Sequence, residues 1–356
     1  MTTSLTHPHA AHVPHAVRWG TLSNGQKVHR WTLRNAQDMR VDLSDLGGSL
    51  LSWHTPDRHG RIEGVVLGHA DPLAYAEGLG YLGALIGRWG NRIRDGRFEL
   101  DGVSYRLDRN NNGHHLHGGH DGFHQAVWNV DTDGNGLLLT LRSPDGEGGF
   151  PGNLDVQVRY ELHDDGTLSL DYSARSDQPT PINLTAHPYF NLGGARGDIR
   201  DHLLWIDADD FLAVDAGMIP ASKESVAGSA FDFRHAAPLG SRLTWPHPQL
   251  AVGGGFDHCY CLREPHGQPR TVAQAIDPAS GRRLTVITDQ TGLQLYTGQH
   301  LAGSPKRSAG FYKPFDGLCL EAQAFPDQIN SAAAERVVLR PGAVYRQHTA
   351  YRIDTL

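Results

Sequence analysis

Five polar clusters hold residues able to move a proton or hydrogen-bond a polar substrate, each beside glycines or at the end of a strand-like run. GRWGNRIR (87–94) supplies Arg88, Asn91 and Arg92, and NNNGHHLHGG (110–119) supplies His115 and His117. NLTAHPYFNL (183–192) supplies His187, and GGGFDHCYC (253–261) supplies Asp257 and His258. LCLEAQAFPDQIN (318–330) supplies Glu321, Gln323 and Asp327. Together they offer a general acid, a general base and hydrogen-bonding groups, the set that proton transfer on a neutral polar substrate requires. Each residue alone has a plainer explanation. With 22 histidines in the chain, a histidine is poor evidence of function. His187 could be a polar group at a strand end, Asp257 a loop acid and Arg92 a surface arginine. His117 could be a turn residue, although Gly118 and Gly119 also let a ligand approach the backbone. Glu321 follows Leu318, Cys319 and Leu320, and a glutamate in such a run is either paired or put to use.

The elements that must position these groups are strands. Leu154, Val156, Val158 and Tyr160 alternate with polar residues, His163–Gly166 gives a turn, and Leu168, Leu170 and Tyr172 resume the alternation. This is the pattern of a β-hairpin. Met39–Ser44 and Tyr345–Arg352 alternate in the same way. Asn24-Gly25, Asp101-Gly102, Asp133-Gly134, Asp145-Gly146 and Pro341-Gly342 mark tight turns. Helical periodicity is nearly absent, with a turn or two expected at 71–77 and a short one at 332–335. Closely spaced strands with few helices predict an all-β fold, a large antiparallel β-sandwich. Residues 17–356 contain no linker or repeat and read as one domain. Residues 1–16, with His7, His9, His12 and His15, read as a disordered leader.

The 356 residues suffice for a sizeable core. The 42 glycines and 20 prolines suit a turn-rich chain. A net charge of −7 without a basic run argues against nucleic acid as partner. No signal-peptide pattern or long apolar stretch is expected to direct the chain to or across a membrane. Cys259, Cys261 and Cys319 lack zinc-type spacing, so no metal is expected, and reduced thiols suit a cytoplasmic setting. There is no Walker A loop and no nucleophile elbow, and no nucleotide cofactor is expected.

The order of these motifs resembles the aldose 1-epimerases, also called galactose mutarotases. GALIGRWGNRI, GHHLHGG, EGGFPGNLDVQVRYEL, NLTAHPYFNLGG, GGFDHCY, GLQLYTG, LCLEAQAFPDQIN and VLRPGAVY follow one another from about Trp19 to the C-terminus. The resemblance implies a galactose mutarotase-like β-supersandwich that interconverts the α and β anomers of free aldohexoses such as galactose and glucose, without a cofactor. It implies Glu321 as general base and His187 as general acid, with Asn91, Arg92, His117, Asp257 and Gln294 binding the sugar. Ala186, Cys259 and the pair Trp89-Gly90 depart from the residues common in the family and could reshape the pocket. The implied partner is a small aldose, with the protein a monomer or homodimer. A carbohydrate-binding protein without catalysis and a hexose-6-phosphate 1-epimerase are the alternatives, the latter needing an extra basic cluster. A polysaccharide-active enzyme would instead need an open cleft. The roles require ionised Glu321 beside protonated His187, and ordinary pKa values near 4.3 and 6.5 leave only a slightly acid window. A carboxylate, such as Asp257, is therefore expected to raise the pKa of His187.

Overall fold

Alternation along the hairpin governs the largest sheet. In the strand Leu154–Leu162 every second side chain is buried, and the strand pairs residue for residue with Thr167–Ser176. A computed structural model describes residues 13–194, 197–264 and 267–356. Residues 1–12 of the expected leader lie outside them. The hairpin sits within a nine-stranded sheet running from Asn129–Asp133 through Gly136–Ser143, the hairpin, Tyr345–Thr355, Arg282–Thr288, Arg270–Ile276 and Leu203–Ile206 to Ala237–Pro238. Two five-stranded sheets accompany it. One is built from Val17–Thr21 to Ile62–Gly64 in chain order. The other takes the order Pro220–Ser225, Ala208–Val214, Asp257–Leu262, Gly292–Tyr296, Cys319–Gln323.

The three sheets share one core. Val156, Val158, Leu170 and Ile353 of the large sheet join Trp31, Val41 and Trp53 of the first smaller sheet. Phe211, Tyr260, Leu293 and Leu320 of the second complete the same cluster. Burying such faces at ~25 cal/mol per Å² is the main drive to this sandwich. The helix Pro72–Ala76 falls where the sequence predicts one, and a 3₁₀ turn spans Ala334–Val337. Two further helices, Leu239–Leu243 and Pro248–Gly253, have no counterpart in the sequence reading. At five and six residues they are too short to show a periodic apolar face.

Arg88 shows how the GRWGNRIR segment is anchored. Its side chain is buried and donates five hydrogen bonds, to Ser143 Oγ and to the carbonyls of Ser143, Pro144, Pro151 and Gly152. It is a structural clamp.

Candidate active site

Strand alternation places the acidic groups. In the sheet that ends with Cys319–Gln323, Glu321 pairs with Gln294, which pairs with Cys259. One row further along, Cys319 pairs with Tyr296, which pairs with Asp257. Paired residues share a face, so all six point to one side, while Leu293, Leu295, Leu320 and Ala322 enter the core.

His187 is held opposite by backbone pairing. Thr185–Ala186 pairs with Leu85–Ile86, and the chain stays paired through His187, whose N–H donates to Ala84 O and whose carbonyl accepts from Gly83 N. Pro188 favours extended geometry at this junction. The third wall is the pairing of Arg92–Ile93 with His115–Leu116. There Asn91 and His117 both take positive φ, 64° and 52°. Asn91 N–H donates to His117 Nδ1 at 3.1 Å. Gly118 follows in a left-handed conformation, where any side chain would strike the carbonyl of Gly87. Asn183 ties the segments together, accepting from Ala324 N and donating to Gly90 O.

The result is a cavity of about 230 Å³ lined by Asn91, Arg92, His117, His187, Asp257 and Glu321. That is below the roughly 300–1,000 Å³ of drug-sized pockets and suits one sugar ring. His187 Nε2 lies 3.6 Å from Glu321 Oε1, and both side chains are buried. The two stand side by side, closer than a whole sugar ring would separate them. Glu321 Oε2 has no hydrogen-bond partner. A larger hollow of about 560 Å³ beside Asp198, Arg200 and Phe315 is more open, and its Asp198 is already paired with Arg200.

Burial dominates the electrostatics. It pushes the Glu321 carboxyl well above the usual range; Asp257 adds to this and Arg92 opposes it. His187 is pushed down to about 4, again mainly by burial, which outweighs the upward pulls of its own backbone and of Asp257. This reverses the expected direction for His187, because desolvation of the imidazolium exceeds the attraction of the carboxylate. His117 is likewise driven well down by burial, with His187 and Arg92 adding to it.

Five histidines, His115, His124, His187, His202 and His258, are buried and held near pH 4. Each folded value lies below the unfolded one, so the stability it contributes is full above ~6.5 and is lost as pH falls through the folded value. On the order of 3 kcal/mol per histidine is at stake. Denaturant midpoints should drop steeply from pH 7 to pH 4.5; a constant midpoint over that range would contradict this.

Gln294 does not line the cavity. Its Nε2 donates to Asp257 Oδ1 at 2.6 Å, so on the same sheet face it orients that carboxylate. His115 Nδ1 meets Asp108 O and His258 Nε2 meets Gln249, both structural contacts. Asp327 accepts from Arg94 N, and its own N–H donates to Arg92 O, which fixes the Arg92 segment. The sequence reading missed Tyr81, Asn111, Tyr189, Tyr296 and His300 on the cavity wall. Tyr81 packs 4.7 Å from both His117 and His124, ring centre to ring centre. Its surroundings, GLGYLG (78–83), carried a signal: Tyr81 takes φ 56° between glycines that also have positive φ. This stretch has G-x-G-x-x-G spacing, which the sequence reading also passed over. It follows a helix and leads into a strand, the reverse of the dinucleotide-binding context.

His117, His187 and Glu321 bring one ligand-type atom each within 4.8 Å of one another. The hydrogen bonding does not fit a metal. His117 Nδ1 accepts from a backbone N–H, so in the neutral ring Nε2 carries the proton and faces the cavity as a donor.

The model of the family described as aldose 1-epimerase matches residues 29–352. The galactose mutarotase of Homo sapiens is 40% identical over 347 residues, covering 97% of this chain and 99% of the human protein. The aldose 1-epimerase of Escherichia coli K12 is 38% identical over 333 residues, with 92% and 96% covered. The solved structure of galactose 1-epimerase from Lactobacillus acidophilus superposes with a TM-score of 0.84 at 28% identity, covering 96% of this chain and 98% of that one.

Proposed function

The chain belongs to the aldose 1-epimerase family, and we propose that its cavity interconverts the α and β anomers of free aldohexoses, with Glu321 and His187 as the proton-transfer pair. The observation that carries this reading is the 3.6 Å approach of His187 Nε2 to Glu321 Oε1 at the end of a cavity one sugar ring in size. A hemiacetal bears its hydroxyl and its ring oxygen on the same carbon. Two groups set side by side can therefore serve both oxygens at once. Glu321 takes the proton of the C1 hydroxyl while His187 protonates the ring oxygen, and the C1–ring oxygen bond breaks to give the aldehyde. Rotation about C1–C2 by about half a turn exposes the other carbonyl face. Reclosure reverses the roles, with His187 as base and Glu321 as acid. His117 Nε2–H, Arg92, Asn91 and Asp257, the last held by Gln294, supply hydrogen bonds to the remaining hydroxyls.

The shifted protonation equilibria suit this cycle. Between about 4, where His187 titrates, and the raised value of Glu321, the pair as a unit holds one proton. The count is the same whether the proton rests on Glu321 or on His187, so ring opening and reclosure use the same ionisation state. The expected kcat/KM profile is flat through neutrality, falls on the acid side near pH 4, and falls on the alkaline side where Glu321 loses its proton. A profile collapsing above about pH 6 would contradict it.

Arg92 is the single permanent cation among the described cavity residues. This favours a free sugar over a hexose 6-phosphate, which would call for further basic groups. We read residues 17–356 as one domain of a cytoplasmic monomer or homodimer. The shared core supports the single domain, and the three free, buried cysteines suit a reducing compartment. Exchange NMR on equilibrated galactose, glucose and glucose 6-phosphate tests the substrate class. Enzyme-dependent exchange between anomeric signals is expected for the free sugars; exchange only with the phosphate, or with none, would overturn the reading.

A further inference from the structure

Acid–base histidines need a partner for the nitrogen that faces away from substrate. For His187 that nitrogen is Nδ1, and the atom behind it is the sulfur of Cys319, 3.4 Å away. We propose that Cys319 is a positioning residue for the reaction, taking the Nδ1–H of His187 so that Nε2 alone exchanges a proton with the ring oxygen. The proposal rests on the assignment of His187 above.

Three observations carry it. First, alternation along Cys319–Gln323 puts Cys319 and Glu321 on the same face, so one strand supplies both the base and the support of the acid. Second, Cys319 is wholly buried and in no disulfide, and burial, with Glu321 and Asp257 nearby, pushes its thiol well up. It stays a neutral S–H, which is a weak acceptor. Third, Glu321 Oε2 is buried, unpartnered and in the same cavity, so the strand presents an unused carboxylate oxygen beside the supported imidazole.

The weakness of the acceptor has a chemical use. The proton must pass to a hemiacetal ring oxygen, which is barely basic, so the donor must be a strong acid. A carboxylate behind Nδ1 would stabilise the imidazolium and blunt that acid. A neutral sulfur fixes the tautomer with little stabilisation of the cation. The other titratable groups around His187 leave this role open. Glu321 and Asp257 face it from the sheet, and His117 and His124 from the loop that follows His115–Leu116. Tyr81, Tyr189 and Tyr296 pack against the ring 5.0–6.3 Å away, and Arg92 lies on the same cavity wall.

Two variants of the full chain test it. Cys319→Ser offers a better acceptor in nearly the same place. It should move the acid limb of kcat/KM upward by about one pH unit from near 4, with KM within about twofold. Cys319→Ala removes the acceptor and should lower kcat about three- to tenfold at unchanged KM, with activity restored towards wild type in Cys319→Ser at pH 7–8. ¹⁵N-histidine NMR should show a protonated Nδ1 on neutral His187 in the wild type and a mixture of tautomers in Cys319→Ala. An unmoved acid limb in Cys319→Ser, together with wild-type kcat and tautomer in a folded Cys319→Ala, would overturn the proposal. If instead His187→Asn kept full activity, the underlying assignment of His187 would fail, which a Cys319 result alone does not decide.

Discussion

Glu321→Gln should lower kcat for anomer interconversion about 10³-fold while KM changes by no more than a few-fold. A positioned base contributes roughly 10²–10⁴, or about 3–5 kcal/mol of barrier. The amide keeps the volume and one acceptor oxygen but cannot take the hydroxyl proton. A rise in KM with kcat retained would instead mark Glu321 as a ground-state binding group. Stability supplies a second readout. The folded pKa of Glu321 is raised, so the stability that goes with it is full below the unfolded value of ~4.5 and is lost as pH rises through the folded value. Glu321→Gln escapes that loss. Its melting temperature should exceed that of the wild type at pH 8 and match it at pH 4.5. Equal values at pH 8 would show that Glu321 ionises without penalty, against its burial at 2% exposure and its unpartnered Oε2.

His187→Asn should cost about 10²–10³ in kcat, again with KM nearly unchanged, since the ring oxygen then departs without a proton donor. The double variant sharpens the claim. Glu321 and His187 are in direct approach and share one proton, so their losses should not add. The double variant should fall no more than about tenfold below the poorer single variant. Additive losses, measured by single-sugar kinetics at pH 7, would mean that the two groups act in separate steps.

Much of this site was legible because strands expose their logic locally. Period-two spacing predicted the Leu154–Tyr172 hairpin, and the contiguous apolar run Leu318–Leu320 marked Glu321 as a carboxyl next to a buried segment. What the sequence could not show was distance in space. Arg88 and Gln294 look alike as site residues in one dimension. In the fold, Arg88 turns away to clamp Ser143 and Pro151, whereas Gln294 lies between Glu321 and Cys259 on the same sheet face and donates its amide N–H to Asp257. Tyr81 was overlooked because its role depends on a left-handed backbone that brings its ring over His117. The direction of the His187 shift was misjudged for a related reason. A neighbouring acid can be guessed from motifs, whereas the depth of burial that outweighs it is a property of packing from Tyr81, His117 and Tyr189 together.

The central claim is that this cavity opens and recloses an aldose ring through Glu321 and His187. Polarimetry on freshly dissolved α-galactose at pH 7 tests it most directly, with wild type, Glu321→Gln and His187→Asn at equal concentration. The wild type should bring the rotation to its equilibrium value far faster than buffer, and both variants should track the uncatalysed curve at that concentration. No acceleration by the wild type, or full acceleration by either variant, would contradict the account.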